Sequence, residues 1–158
     1  YRSFQVPKAA PFELRPSPGK GWGVFATRNV KEGTRILSEK ALFVIRKYHT
    51  HIEKMDVVTA FQALAPSDKH QFLLLRDNAS NPFNSMENAC AENSFTFPGD
   101  GGHRLFLPLS RFNHSCVPNS KIPDKSTGEN PFGIYAIRDI LAGEEITFCY
   151  ETDFEART

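Results

Sequence analysis

The sequence predicts an α+β fold of several small β-sheets with a short helical insert. Three observations carry that expectation. Runs rich in β-branched and aromatic residues, divided by Pro- and Gly-containing turns, fill the first third; apolar residues at helical spacing occupy the middle; strand-like runs return after residue 94. No internal repeat, low-complexity stretch or domain boundary interrupts the 158 residues. One domain spanning 1–158 is therefore expected, and folding at that size buries about 70% of the surface the unfolded chain exposes.

In chain order, Phe12 to Arg15, Trp22 to Thr27 and Ile36 to Arg46 read as three strands. They are separated by Pro16-Ser-Pro-Gly19 and Lys31-Glu-Gly33, both turn-like. Residues 53–64 place Val57, Phe61 and Leu64 on one helical face, and Pro66-Ser67-Asp68 restarts a helix that leads into Phe72, Leu73, Leu74 and Leu75. Two helices are expected within 53–77. Asn78 to Asn84 is a polar break, 85–92 adds a turn or two of helix, and Phe95-Thr-Phe97 returns to strand. Pro98 to Gly102 is a turn and Arg104 to Leu107 a short strand. The polar stretch Pro123 to Pro131 reads as an exposed loop. Phe132 to Ile137 and Glu145 to Tyr150 then form two strands around a turn at Gly143.

Composition excludes several classes of function. Hydrophobic residues make up 40%, with fourteen Phe, as in ordinary soluble proteins. No apolar run approaches the roughly 18 residues that cross a membrane, and no charged-then-apolar leader opens the chain. The first residue is Tyr1, not Met, which predicts a piece of a longer protein. A net charge of +1 gives no field for strong, direct nucleic-acid binding. Cys90, Cys116 and Cys149 are an odd number without CxxC spacing. That argues against a disulfide framework and a self-contained metal site, and favours a reducing intracellular compartment, nucleus or cytoplasm. Asn78-Ala-Ser80 and Asn113-His-Ser115 match the glycosylation pattern but carry no weight without a secretory context.

The chemistry concentrates in three segments. Residues 111–119, Arg-Phe-Asn-His-Ser-Cys-Val-Pro-Asn, place an amide, an imidazole, a hydroxyl and a thiol side by side before a proline. Such a run is neither a regular helix nor a long strand, so its backbone polar groups need other partners. Residues 143–150, Gly-Glu-Glu-Ile-Thr-Phe-Cys-Tyr, read as a turn and a strand that delivers a phenol at its end. Residues 19–26, Gly-Lys-Gly-Trp-Gly-Val-Phe-Ala, allow close backbone approach to a ligand but suit a hairpin turn equally well.

In this order, over roughly residues 12–154, the segments resemble the SET domain, the family of S-adenosylmethionine-dependent protein-lysine methyltransferases. The resemblance implies a SET fold in which the Asn113 segment and the final strand form a pseudoknot. It implies a catalytic role for Tyr150, although residue type alone favours a buried tyrosine whose hydroxyl finds a backbone partner. It implies cofactor contacts for Gly21, Trp22 and Lys20, for Asn113 and His114, and, by proximity, for Ser110 and Phe112. Asn93, in Glu-Asn-Ser-Phe, is similar to a further cofactor-contacting asparagine of the SET relatives that often carry a MYND zinc finger. Neither the MYND cysteines, in the insert at about 47–92, nor the post-SET cysteine cluster, after residue 158, is expected in this chain. Cys116 would join that cluster around zinc in relatives. Without that closure, weak or no activity is expected of the chain as it stands. A thiol hydrolase built on His114 and Cys116 is disfavoured, because such enzymes bring nucleophile and base from separate elements.

The expected function is methyl transfer to a lysine of a peptide or protein, histone or not. The alternatives are a non-catalytic SET-fold module for protein interaction or cofactor binding, and a structural domain whose motifs are fortuitous.

Overall fold

The computed structural model describes residues 5–77, 86–97, 102–122 and 132–150. The predicted break at 78–84, most of the turn at 98–102 and the loop at 123–131 lie outside them. The chain packs as two compact units, one formed by 1–5, 39–110 and 124–132, the other by 6–38, 111–123 and 133–158.

The second unit begins with an antiparallel hairpin, β1 (Phe12–Ser17) and β2 (Gly21–Ala26), in register from Phe12 opposite Ala26 to Ser17 opposite Gly21. Lys20 N–H closes its turn on the Ser17 carbonyl at 3.0 Å. Gly19 and Gly21 sit at φ of 74° and 76°, a region open to glycine at little cost. Next comes β3 (Arg35–Glu39), which joins β9 (Phe132–Ala136) and β8 (Ser120–Lys121) in a three-stranded sheet ordered β3-β9-β8. Two short strands, β7 (Asn113–His114) and β10 (Thr147–Phe148), pair in parallel, Thr147 beside Asn113 and Phe148 beside His114. Residues 143–146 also line the free edge of β2. Gly143 N–H donates to Ala26, Ala26 N–H to Glu144, and Ile146 N–H to Val24, at 2.7–2.9 Å. Val24, Phe112, Ile134, Ile140 and Ile146 form the fully buried apolar centre of this unit.

The first unit holds β4 (Phe43–Ile45), β6 (Gly102–Leu105) and β5 (Ser94–Phe97) as an antiparallel sheet ordered β4-β6-β5. With it pack α1 (Lys54–Gln62), α2 (Pro66–Asp77) and α3 (Met86–Asn93). Pro66 opens α2, where its missing N–H costs nothing. Asp56 caps α1 by accepting the Glu53 N–H at 2.8 Å and pairs with Lys47 at 2.8 Å. Phe72 is fully buried, with its ring 5.5 Å from that of Phe61 and 6.0 Å from that of Phe43.

The elements follow the sequence expectation in outline, with several differences. β1 takes in Pro16 and Ser17, which were expected in the turn, the strand expected over Arg104 to Leu107 lies at Gly102–Leu105, and β8 was not expected. The single strand expected over Ile36 to Arg46 is two, β3 and β4, because the chain changes partner, from β9 to β6, after Glu39. The strand expected from Glu145 to Tyr150 shrinks to Thr147–Phe148, with Glu145 making only an isolated bridge to Phe25.

Candidate active site

Within the second unit the three motif segments converge on one carboxylate, that of Glu145. Asn113 Nδ2 donates to Glu145 Oε1 at 2.7 Å and to the Trp22 carbonyl at 2.9 Å. The buried Ser17 hydroxyl lies 3.2 Å from both carboxylate oxygens, and Lys20 Nζ is 3.9 Å from Oε2. The hairpin turn, the Asn113 segment and the strand after Gly143 are thereby tied to each other by charge-assisted bonds. Gly23 is what lets them meet. A Cβ there would stand 2.4 Å from Glu145 Oε1 and 2.9 Å from Asn113 Nδ2.

This arrangement fixes the Asn113 amide. Both of its N–H groups are spent, so Oδ1 is directed away from them and accepts no hydrogen bond from the described residues. An acceptor in that state, beside a turn with two glycines at positive φ, suits a ligand that brings its own N–H or ammonium donors.

Tyr150 stands at the other end of the parallel pair. Its hydroxyl donates to the Phe112 carbonyl at 2.7 Å, and its backbone N–H donates to His114 Nδ1 at 3.1 Å. With Nδ1 accepting, neutral His114 carries its proton on Nε2, which lies 3.3 Å from the Cys116 sulfur. The His114 and Phe148 rings lie 5.2 Å and 5.0 Å from the Tyr150 ring, so two aromatic rings flank the phenol. Tyr150 is 53% exposed, with its hydroxyl bond to Phe112 partly buried. Burial raises its pKa above the ordinary tyrosine value, and the nearby Glu145 charge adds to the rise, against opposing effects of Arg111 and the His114 contact. The phenol is therefore protonated at neutral pH.

Below these groups Asn119, 3% exposed, stitches the segments. Its Nδ2 donates to the Glu145 carbonyl at 2.8 Å, and its Oδ1 accepts the Thr147 N–H at 2.9 Å. The Ser120 hydroxyl donates to the Thr147 carbonyl at 2.6 Å. The backbone of the Asn113 segment, expected to need partners, finds some of them in the Ser115 N–H donated to the Phe148 carbonyl at 3.1 Å and the Val117 N–H donated to Ser115 Oγ at 3.1 Å.

Of the residues singled out in the sequence, Lys20, Gly21, Trp22, Phe112, Asn113, His114 and Tyr150 belong to this second unit. Lys20 is turned to Glu145, and Phe112 supplies its carbonyl to Tyr150 while its buried ring packs edge-on against Phe12 at 5.4 Å. Asn93 and Ser110 belong to the first unit. Asn93 Nδ2 donates to the Ala89 carbonyl at 2.7 Å, and the Ser110 hydroxyl to that of Leu107 at 2.7 Å. Sequence reasoning missed Glu145, Ser17 and Asn119. The one signal available for Glu145 was its place as the second of two consecutive glutamates before an apolar strand. Among the described residues no group of three or more metal-binding side chains is found, and no helix is long and apolar enough to cross a membrane.

The fold and these segments define a known class. The SET domain family model matches residues 21–151, and the chain belongs to that family, one of protein-lysine N-methyltransferases that use S-adenosylmethionine. Among its relatives is the histone-lysine N-methyltransferase set5 of Schizosaccharomyces pombe, 28% identical over 139 residues. That alignment covers 88% of this chain and 41% of the relative. A histone-lysine N-methyltransferase of Eremothecium gossypii, described as H3 lysine-36 specific, is 51% identical over 47 residues, 28% of this chain and 7% of its own. The chain thus spans less than half the length of either relative. A solved structure of a Plasmodium falciparum protein, described as a candidate histone methyltransferase, shares the fold with a TM-score of 0.54 at 16% identity. It covers 92% of this chain and 97% of its own.

Proposed function

We propose that this chain is the catalytic domain of a protein-lysine N-methyltransferase, with Tyr150 as its catalytic residue and histone lysines as the first substrates to test. The observation that carries this reading is the convergence of the hairpin turn, the Asn113 segment and the final strand beside a half-exposed Tyr150, whose hydroxyl the Phe112 carbonyl orients at 2.7 Å. The hydroxyl's one proton is committed there, so its lone pairs are left to accept a hydrogen bond from an incoming amine. The rings of Tyr150 and His114 offer an aromatic wall for a lysine stem, with the buried Phe148 ring packed behind Tyr150.

Such a wall addresses the main obstacle to the reaction. A free lysine has a pKa of about 10.4, so making it a nucleophile at pH 7 costs roughly 4–5 kcal/mol. Desolvation against aromatic faces lowers that cost, because burial disfavours the ammonium. S-adenosylmethionine, when bound, supplies an electrophilic methyl group on a sulfonium. Gly21, Trp22, Asn113 and His114 would hold it, with Asn113 Oδ1 as an acceptor and the glycine turn as a close backbone surface. Lys20 contributes by fixing Glu145 and remains able to meet a carboxylate. Asn93 and Ser110 are proposed as additional contacts on the strength of the family resemblance alone.

Labelled methyl transfer to a histone mixture, run beside calorimetric titration with S-adenosylmethionine, tests this reading. Tyr150→Phe keeps the ring and loses the hydroxyl, so transfer should fall by about 100-fold or more while cofactor affinity stays within about twofold. Cofactor binding without transfer by a longer piece of the protein extended past Thr158, as well as by this chain, would point to a non-catalytic SET module instead. Unchanged transfer by Tyr150→Phe would remove the catalytic assignment.

A further inference from the structure

The N-terminal segment and the loop between β2 and β3 enclose a cleft of about 340 Å³ that the proposed methyl transfer does not use. Pro11, Val30 and Ile36 lie at its base but are themselves buried, Asn29 and Thr34 add polar groups, and Arg28, Lys31 and Arg35 stand around it without a lining carboxylate. None of these three cations pairs with a carboxylate among the described residues. Arg28 donates to the Ala9 carbonyl at 3.1 Å. Arg35 donates from Nε and a terminal nitrogen to the Tyr135 hydroxyl at 2.9 and 2.7 Å. The acidic side chain nearest in sequence, Glu32, is not part of the lining.

The loop presenting these charges is rigidly anchored. Val30 and Ile140 exchange two backbone bonds of 2.8 Å, Glu32 N–H is held by Asp139 at 2.9 Å, and Gly33 N–H by the Ala136 carbonyl at 2.8 Å. Three like charges pre-organised around one concavity repel each other, and an anionic occupant relieves that repulsion at little ordering cost.

We propose that this cleft docks an acidic peptide segment of a partner protein, with carboxylates on Arg28, Lys31 and Arg35. Charge and shape both favour this occupant. Arginine forks match carboxylates in two-point fashion, and the volume falls within the usual size range of a binding pocket. A lysine-rich substrate tail would be repelled. Single-stranded nucleic acid binds on aromatic platforms, and no aromatic residue lines the cleft, the Tyr135 ring lying 5.3 Å from the Arg35 guanidinium.

Fluorescence anisotropy with a labelled oligoglutamate peptide tests the proposal on the purified protein. Binding should be saturable, weaken as salt rises, and be absent for an oligoglutamine control. The double variant R28Q/K31Q should bind about tenfold more weakly, about 1.4 kcal/mol, with an unchanged thermal midpoint. R35K keeps the charge and loses the fork, so it should give an intermediate loss and serves if the double variant fails to fold. Equal binding by both variants, or no binding at low salt, overturns the proposal. Displacement of the peptide by a lower concentration of oligothymidylate would reassign the cleft to nucleic acid and overturn it as well.

Discussion

Glu39 couples the stability of this fold to pH. Its carboxylate accepts the Leu107 N–H at 2.7 Å and the Leu109 N–H at 2.9 Å. Burial nevertheless outweighs these two donors and pushes its pKa from 4.5 up to about 7. The folded protein therefore holds a proton that the unfolded chain releases above pH 4.5. The stability linked to this group is fully present below about pH 4.5 and is lost as pH rises through about 7, a change of about 3 kcal/mol. Thermal unfolding followed by circular dichroism should show the midpoint falling between about pH 5 and pH 8. Glu39→Gln should be less stable at pH 5, since its amide turns an N–H donor toward one of the two backbone donors, and should lose most of that pH slope. A wild-type profile flat over this range would count against the buried acid.

Glu145 shows where sequence reading stops. Asn113, His114 and Tyr150 are chemically conspicuous and sit in an unusual string. A glutamate before an apolar strand looks like any solvated turn residue. Only the chain path brings Ser17, Lys20 and Asn113 to its oxygens. Glu145→Gln keeps an acceptor for Asn113 but loses the charge that holds Lys20. It should weaken S-adenosylmethionine binding about three- to tenfold in calorimetry while kcat at saturation stays within about twofold. A fall in kcat alone would place Glu145 in the chemistry and not in positioning.

The β1–β2 hairpin was legible because its turn glycines and alternating apolar residues act locally. Its depth of engagement was not. Gly23, in the middle of β2, is required by the carboxylate and amide that press against it. Gly23→Ala should cost about 1–3 kcal/mol in chemical denaturation and abolish cofactor binding. Neutral behaviour would show that Glu145 can swing aside freely. Among the helices, Phe72 of α2 is fully buried between Phe43 and Phe61, and Phe72→Ala should cost about 3–5 kcal/mol by the same measurement. The division of the expected strand over Ile36 to Arg46 left only a weak trace in sequence, the poor strand formers Glu39-Lys40-Ala41 between two apolar runs.

The family and the fold class were readable from three short segments, since their order along the chain is itself informative. The family resemblance implied that the Asn113 segment and the final strand meet, but nothing in the sequence shows that residues 143–146 supply the edge of β2 or that residues 147–148 pair in parallel with Asn113 and His114. Such pairings join positions far apart in the chain, and local pattern carries no record of them.

That pairing across about 120 residues also sets a schedule for synthesis. When the hairpin leaves the ribosome, the outer edge of β2 has no strand to cover it, and Asn113 later emerges with no carboxylate to receive its amide. Both wait for residues 143–150, so the candidate catalytic groups come together in one late step, after a long interval in which an open sheet edge invites wrong partners. A nascent chain arrested before Gly143 should therefore depend on chaperones more than one released after Tyr150.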